Sequence, residues 1–208
     1  MALTLTDDFN RANSVTLGGS WTEGAFGLGS ALEIVSNAVK IVSGSAENVA
    51  YWTGTSGSDI CSAFTIPTLS TVDYDPLPIF VTTGSSSLGM QFYMKSPRTS
   101  IEVWRLTGGV LDTTISLSQT FVAGDAICAR VVDNGSTVTA YVYRQAGATG
   151  AWVEVGTAVL VGRDAGPYYP GIGIYDNTTT VLDDFYTGVG TPVVASDPVF
   201  LPRMMVVN

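Results

Sequence analysis

Apolar residues along the chain recur with a period of two rather than 3.6. Short alternating runs cover residues 31–42, 49–53, 60–66, 78–82, 89–94, 100–106, 127–132, 137–143, 152–161, 171–175 and 181–186, separated by Gly, Ser, Asn, Asp and Pro. A period of two sends successive side chains to opposite faces, so each run reads as a β-strand. Asn37-Ala38 divides the first run into two strands. Asp133-Asn134-Gly135 and Gly108-Gly109 read as hairpin turns, because Asn and Gly accept the positive φ of tight turns. No stretch sustains a helical rhythm. Many short strands at regular spacing predict an all-β sandwich or barrel.

The alternation also assigns faces. In the run at 100–106, Ile101, Val103 and Arg105 share one side and Glu102, Trp104 and Leu106 the other. In the run at 127–132, Ile127, Ala129 and Val131 point to the core, with Cys128 and Arg130 opposite. Gln91-Phe92-Tyr93-Met94 carries large side chains on both faces, which marks a central strand or one that lines a groove. Trp21 reads as a core residue. After Val189 the pattern changes, and Pro192, Pro198 and Pro202 exclude a helix and interrupt any long strand. The predicted organisation is one domain over residues 1–189 and an apolar, proline-punctuated arm over 190–208.

Composition narrows the function. Only 13% of the 208 residues are charged, against a usual share of about 25%. The surface must therefore be built from Ser, Thr, Asn and Gly, which suits packing against proteins or sugars. The net charge of −9, with no Lys/Arg cluster, disfavours nucleic acid and anionic membranes as partners. The absence of histidine removes the commonest general base and zinc ligand. Cys61 and Cys128 lack metal-binding spacing and read as buried free thiols or one disulfide. The first residues have neither a basic start nor an apolar core, so no signal peptide is expected.

The order Gly124-Asp125-Ala126-Ile127-Cys128-Ala129-Arg130, Thr137-Val138-Thr139-Ala140-Tyr141-Val142, Tyr169-Pro170-Gly171-Ile172-Gly173 and Leu182-Asp183-Asp184-Phe185 resembles the closing strands of concanavalin A-like (laminin G-like) lectin/glucanase jelly rolls. The opening, Asp7-Asp8-Phe9-Asn10-Arg11 followed by Leu17-Gly18-Gly19-Ser20-Trp21, looks like the start of bacterial and bacteriophage members. The resemblance spans roughly residues 3–188 and implies a two-sheet antiparallel jelly-roll sandwich. In such a fold the first and last strands are neighbours. Phe9 and Phe185 would then enter the core together, and Asp7, Asp8, Asp183 and Asp184 would cluster. Four carboxylates repel unless a cation or hydrogen-bond donors sit among them. One reading is a Ca²⁺ site, because hard oxygen ligands suit that ion; no other cofactor is expected. The other is that alternate carboxylates point outward and cap loops.

The glucanase branch carries a Glu-x-Asp-x-(x)-Glu strand. Here Glu23, Glu33, Glu47, Glu102 and Glu154 are isolated along the chain, and a Ser or Cys triad has no histidine, so a non-catalytic role is expected. The main expectation is a virion structural protein, a capsid decoration or tail/fibre component. It would be made in a host cytoplasm and would partner other virion proteins or further copies of itself. Val199, Phe200, Leu201, Met204 and Met205 would carry the contacts of the arm, unless the arm folds back on its own domain. The alternative is a lectin-like module that binds cell-surface glycan through Trp104, Tyr93 and Glu102, since an indole or phenol joins apolar area to a polar handle.

Overall fold

A computed structural model describes residues 3–25, 28, 32–41, 47–69, 77–82, 85–95, 100–107, 110–161, 166–175 and 179–192. Among them, strands pair antiparallel into two sheets. The eight-stranded sheet runs β13 (Val153–Val161), β12 (Thr137–Gln145), β11 (Ala126–Asp133), β6 (Asp59–Thr68), β15 (Val181–Gly188), β4 (Val39–Ile41) and β3 (Leu32–Ile34), with β1 (Thr4–Asp7) also on β15. The seven-stranded sheet runs β10 (Val110–Ser118), β9 (Ser100–Thr107), β8 (Ser85–Lys95), β7 (Leu77–Thr82), β14 (Tyr168–Tyr175), β5 (Glu47–Trp52) and β2 (Trp21–Glu23). The sheets enclose one main core, a jelly-roll sandwich as the resemblance implied.

Strand alternation builds that core. Phe92 and Met94 of β8, Ile101 and Val103 of β9, Ile172 and Ile174 of β14, and Ile127, Ala129 and Val131 of β11 are all buried in it. Fully burying a Leu, Ile or Phe side chain contributes about 1.5–3 kcal/mol, so these rows dominate the folding drive. A polar link crosses the sandwich: Ser62 Oγ on β6 donates to the Gly171 carbonyl on β14 at 2.5 Å. Gly171 is required by closeness, because a Cβ there would meet the Ala50 carbonyl oxygen and the Ile79 side chain.

The expected turns form where residues are described. Ser36 (φ 55°) and Asn37 (φ 62°) separate β3 from β4. Between β11 and β12, Gly135 adopts φ 92° while Asn134 Oδ1 accepts the Ser136 and Thr137 amides. Residues 108–109 lie outside the described range, though β9 and β10 pair around them from Val110↔Thr107 onward. β10 itself was not among the expected runs. Its apolar alternation is confined to Ile115 and Leu117, half-buried on an edge strand.

The two Asp-Asp-Phe elements meet. β1 pairs with β15 in the register Thr4↔Thr187, Leu5↔Tyr186 and Asp7↔Phe185. Phe9 and Phe185 are fully buried, with ring centroids 5.9 and 4.7 Å from Trp21. Each element holds one residue in the left-handed region: Phe9 at φ 50° and Asp184 at φ 50°. Such backbone is costly for a residue with a side chain and persists only where surroundings fix it.

Candidate functional site

The seven-stranded sheet has a second, outward-facing layer. Val49, Ile79, Val81, Tyr93 and Leu106 are buried there with Ala25, and Leu28, Tyr51, Trp104 and Tyr175 pack against them half-buried. Register explains the grouping. Tyr93 lies opposite Glu102 and Gln91 opposite Trp104 across β8 and β9. Tyr175 lies opposite Glu47 across β14 and β5. Because side chains alternate, Glu47, Gln91, Tyr93, Glu102, Trp104 and Tyr175 all project from the same face.

The polar atoms of this face are tied together. Gln91 Nε2 reaches Glu47 Oε1 at 2.5 Å, and Tyr93 OH lies 2.5 Å from Glu47 Oε1 and 2.6 Å from Gln91 Oε1. Trp104 Nε1 donates to Glu102 Oε2 at 2.9 Å, and its ring lies 4.2 Å from that of Tyr93, tilted 45°. Burial pushes the Glu47 carboxyl up to about 7 against the lowering effect of Tyr93 and Gln91. Burial, together with the nearby Glu47 carboxylate, also pushes the Tyr93 phenol well above its ordinary range. The arrangement fixes an indole edge-on to a carboxylate, beside a second carboxyl that changes charge near neutral pH.

The three residues expected to contact a glycan do converge, but unequally. Tyr93 is 1% exposed and Glu102 7% exposed, whereas Trp104 is half-buried. The tyrosine and the glutamate therefore support the indole from beneath, and the indole alone of the three presents area to solvent. Glu47 and Gln91 were not anticipated. Alternation puts Gln91 on the face of Tyr93, two residues away on β8, but nothing along the chain marks Glu47, because β5 reaches the face only through the pairing of β5 with β14, β14 with β7 and β7 with β8. The same pairing brings Glu47 and Glu102, isolated in sequence, onto one surface.

The four aspartates at the β1–β15 end are also close. Burial raises the Asp183 carboxyl, with Asp184, Asp8 and Asp7 adding repulsion, and burial followed by Asp8 raises Asp184. Asp7 behaves differently. Its Oδ1 accepts the Phe9 amide at 2.9 Å and Arg11 Nη1 at 2.6 Å, while Oδ2 accepts Trp21 Nε1 at 2.8 Å and Arg11 Nη2 at 3.1 Å. Burial pushes this carboxyl up, but those donors outweigh it and its pKa is lowered. Four donors leave Asp7 no oxygen for a hard cation, so it does not fit the expected calcium set. Asp183 Oδ1 accepts the Asp184 amide at 2.9 Å and Asp8 Oδ1 accepts the Asn10 amide at 3.0 Å, as in the loop-capping reading. Among the described residues, no group of three or more His, Cys, Asp or Glu side chains is placed to hold a metal ion. The arm residues Val199, Phe200, Leu201, Met204 and Met205 lie outside the described residues.

No family model and no curated protein matches the chain in sequence. Solved structures match it in shape. The carbohydrate-binding module CBM66 from Bacillus subtilis aligns with a TM-score of 0.52 at 10% identity, over 83% of this chain and 97% of that one. The exoplasmic/lumenal domain of VIP36 in its Ca²⁺/Man2-bound form aligns with a TM-score of 0.59 at 12% identity, over 94% and 92%. A Bacillus licheniformis β-glucanase aligns with a TM-score of 0.51 at 12% identity, over 89% and 97%. At such identities the likeness is one of architecture: the chain has the concanavalin A-like lectin/glucanase fold.

Proposed function

We propose that this protein is a carbohydrate-binding module whose ligand lies on the outward face of the seven-stranded sheet, against Trp104. One observation carries the reading. Trp104 is half-buried and locked in place, by its bond to Glu102 at 2.9 Å and by the Tyr93 ring at 4.2 Å. A preorganised indole offers a flat apolar surface to a sugar ring at little conformational cost. Beside it, Gln91 and Tyr93 are buried and hold the half-buried Glu47 carboxyl, which is left to meet a sugar hydroxyl. Two carboxyls on the face and a net charge of −9 favour an uncharged glycan over a uronate or sialylated one.

Binding is favoured over hydrolysis because Glu47 and Glu102 are both engaged by protein side chains. Likeness to a lectin and a binding module of the same architecture supports the reading, and likeness to a glucanase leaves the fold itself neutral between the two. The virion role expected from the bacteriophage-like opening and the arm draws no support from the carbohydrate-binding module, lectin and glucanase of like architecture. Calcium is no part of this reading, since the aspartate end lies apart from Trp104 on the other sheet. A glycan array probed with the wild-type protein and with Trp104→Ala tests the proposal. The expected result is binding to a set of neutral glycans that the substitution abolishes. Identical array patterns for the two proteins would overturn it.

A further inference from the structure

A second constellation lies on the outward face of the eight-stranded sheet. β6 and β11 pair so that Cys128 is opposite Ala63 and Cys61 is opposite Arg130. The two cysteines are therefore diagonal neighbours on adjacent strands, facing the same way. Both are free and buried. Tyr143 is buried beside them, and Tyr141, Trp152, Tyr186 and Leu3 pack around the group. The two thiols are close enough to influence one another: burial first, and the neighbouring Cys61 second, push the Cys128 thiol well up.

The start of the C-terminal segment is fastened to this dithiol. Cys61 Sγ donates to the Gly190 carbonyl at 3.3 Å. The Gly190 amide donates to Asp59 Oδ1 at 3.2 Å. Asp59 is held by Arg130 through Nε and Nη2, each at 2.7 Å, and Arg130 Nη1 donates to Thr191 Oγ1 at 3.3 Å. Residues 190–191 are thus held by the Cys61 thiol proton, by the Asp59–Arg130 pair and by a side-chain bond between Thr191 and Tyr143.

We propose that Cys61 and Cys128 form a thiol–disulfide exchange site that a low-molecular-weight disulfide oxidises, loosening residues 190–191 from the sheet. The step balances. One cysteine thiolate attacks the small disulfide and forms a mixed disulfide, releasing one small thiolate. The second cysteine thiolate attacks the protein sulfur of that mixed disulfide, forming the Cys61–Cys128 bond and releasing the second small thiolate. The protein dithiol loses two electrons and two protons, and the reagent gains both as two thiols. Cys61 then has no proton for the Gly190 carbonyl. Exchange is slow, because the pair is covered and a buried thiol with a raised pKa holds little thiolate.

The experiment incubates the folded, reduced protein with excess oxidised glutathione and follows intact mass, peptide mapping and amide hydrogen exchange. The expected result is loss of two hydrogens, a Cys61–Cys128 cross-linked peptide and faster exchange in the peptide holding Gly190, all reversed by dithiothreitol. Cys128→Ser is expected to stop at a stable glutathione adduct on Cys61. A stable adduct on the wild-type protein would overturn the proposal. So would an intermolecular disulfide, or no mass change under conditions that modify the unfolded chain. A disulfide that leaves exchange at Gly190 unchanged would overturn the coupling to the segment.

Discussion

The Tyr93 hydroxyl on β8 and the Glu47 carboxylate on β5 lie 2.5 Å apart, although 46 residues and two intervening strands separate them. The contact joins the middle of the seven-stranded sheet to its far side. It also places a titrating group beneath the surface on which Trp104 sits.

Stability should follow the titration of Glu47. Its folded pKa is raised to about 7 by burial, from an ordinary 4.5. Proton binding therefore favours the folded state: the contribution is fully present below the ordinary value and is lost as pH rises through about 7. Thermal melts are expected to give a lower Tm at pH 8 than at pH 5. The loss from this group is on the order of 2 kcal/mol. Glu47→Gln keeps an acceptor and removes the charge, so it should flatten this part of the profile. An unchanged profile in the variant would show that other groups set it.

Tyr93→Phe removes one donor from Glu47 and leaves the rings in contact. The expected cost is about 1–2 kcal/mol at pH 8, shrinking at pH 5 where Glu47 is protonated. Chemical denaturation at the two pH values measures the difference. Equal costs at both would contradict the coupling between these residues.

Asp7 works in the opposite direction. Its lowered pKa means that its contribution is present above the ordinary carboxylate range and is lost as pH falls through the lowered value. Asp7→Ala leaves the Trp21 indole N–H and the Phe9 amide without their acceptor, and is expected to cost on the order of 2–4 kcal/mol at pH 7. Arg11→Met should cost less, because the arginine is 39% exposed. Equilibrium unfolding of both variants checks the order, and a reversed order would contradict the assignment of Asp7 as the anchor. Chelation with EDTA is expected to leave Tm unchanged, and a rise in Tm on adding calcium would contradict the filled coordination of Asp7.

Asp184 combines burial, repulsion from Asp8 and a φ of 50°. Asn tolerates that backbone better than most residues and carries no charge. Asp184→Asn is expected to raise Tm at pH 7, with the gain fading in acid as Asp184 itself protonates. A lower Tm at pH 7 would mean that the carboxylate has a favourable partner.

The main features of the fold were readable because burial repeats along each strand. Ile127, Ala129 and Val131 declare the core face of β11, and Phe9 with Phe185 mark two ends that meet over Trp21. β10 was not, because an edge strand buries too little to need a long apolar run. The site was legible only in part. Trp104, Glu102 and Tyr93 sit on neighbouring strands of one hairpin, so local alternation groups them. Gln91 shares its run with Tyr93, two residues away, but Glu47 joins through strand order, a long-range property that alternation within a run does not encode. Alternation also gives a side chain's face without its depth, which is why Tyr93 read as a ligand contact although the packing of Trp104 buries it.

The central claim is that the Trp104 face binds an uncharged glycan, and calorimetric titration with neutral oligosaccharides tests it most directly. Wild-type protein, Trp104→Ala and a control on the opposite sheet, Trp152→Ala, are compared. The account predicts saturable binding by the wild type, weakened at least about tenfold by Trp104→Ala, which corresponds to about 1.4 kcal/mol. Trp152→Ala should bind as the wild type does, with all three proteins folded by thermal melt. Binding that survives Trp104→Ala, or is lost in Trp152→Ala instead, would contradict it.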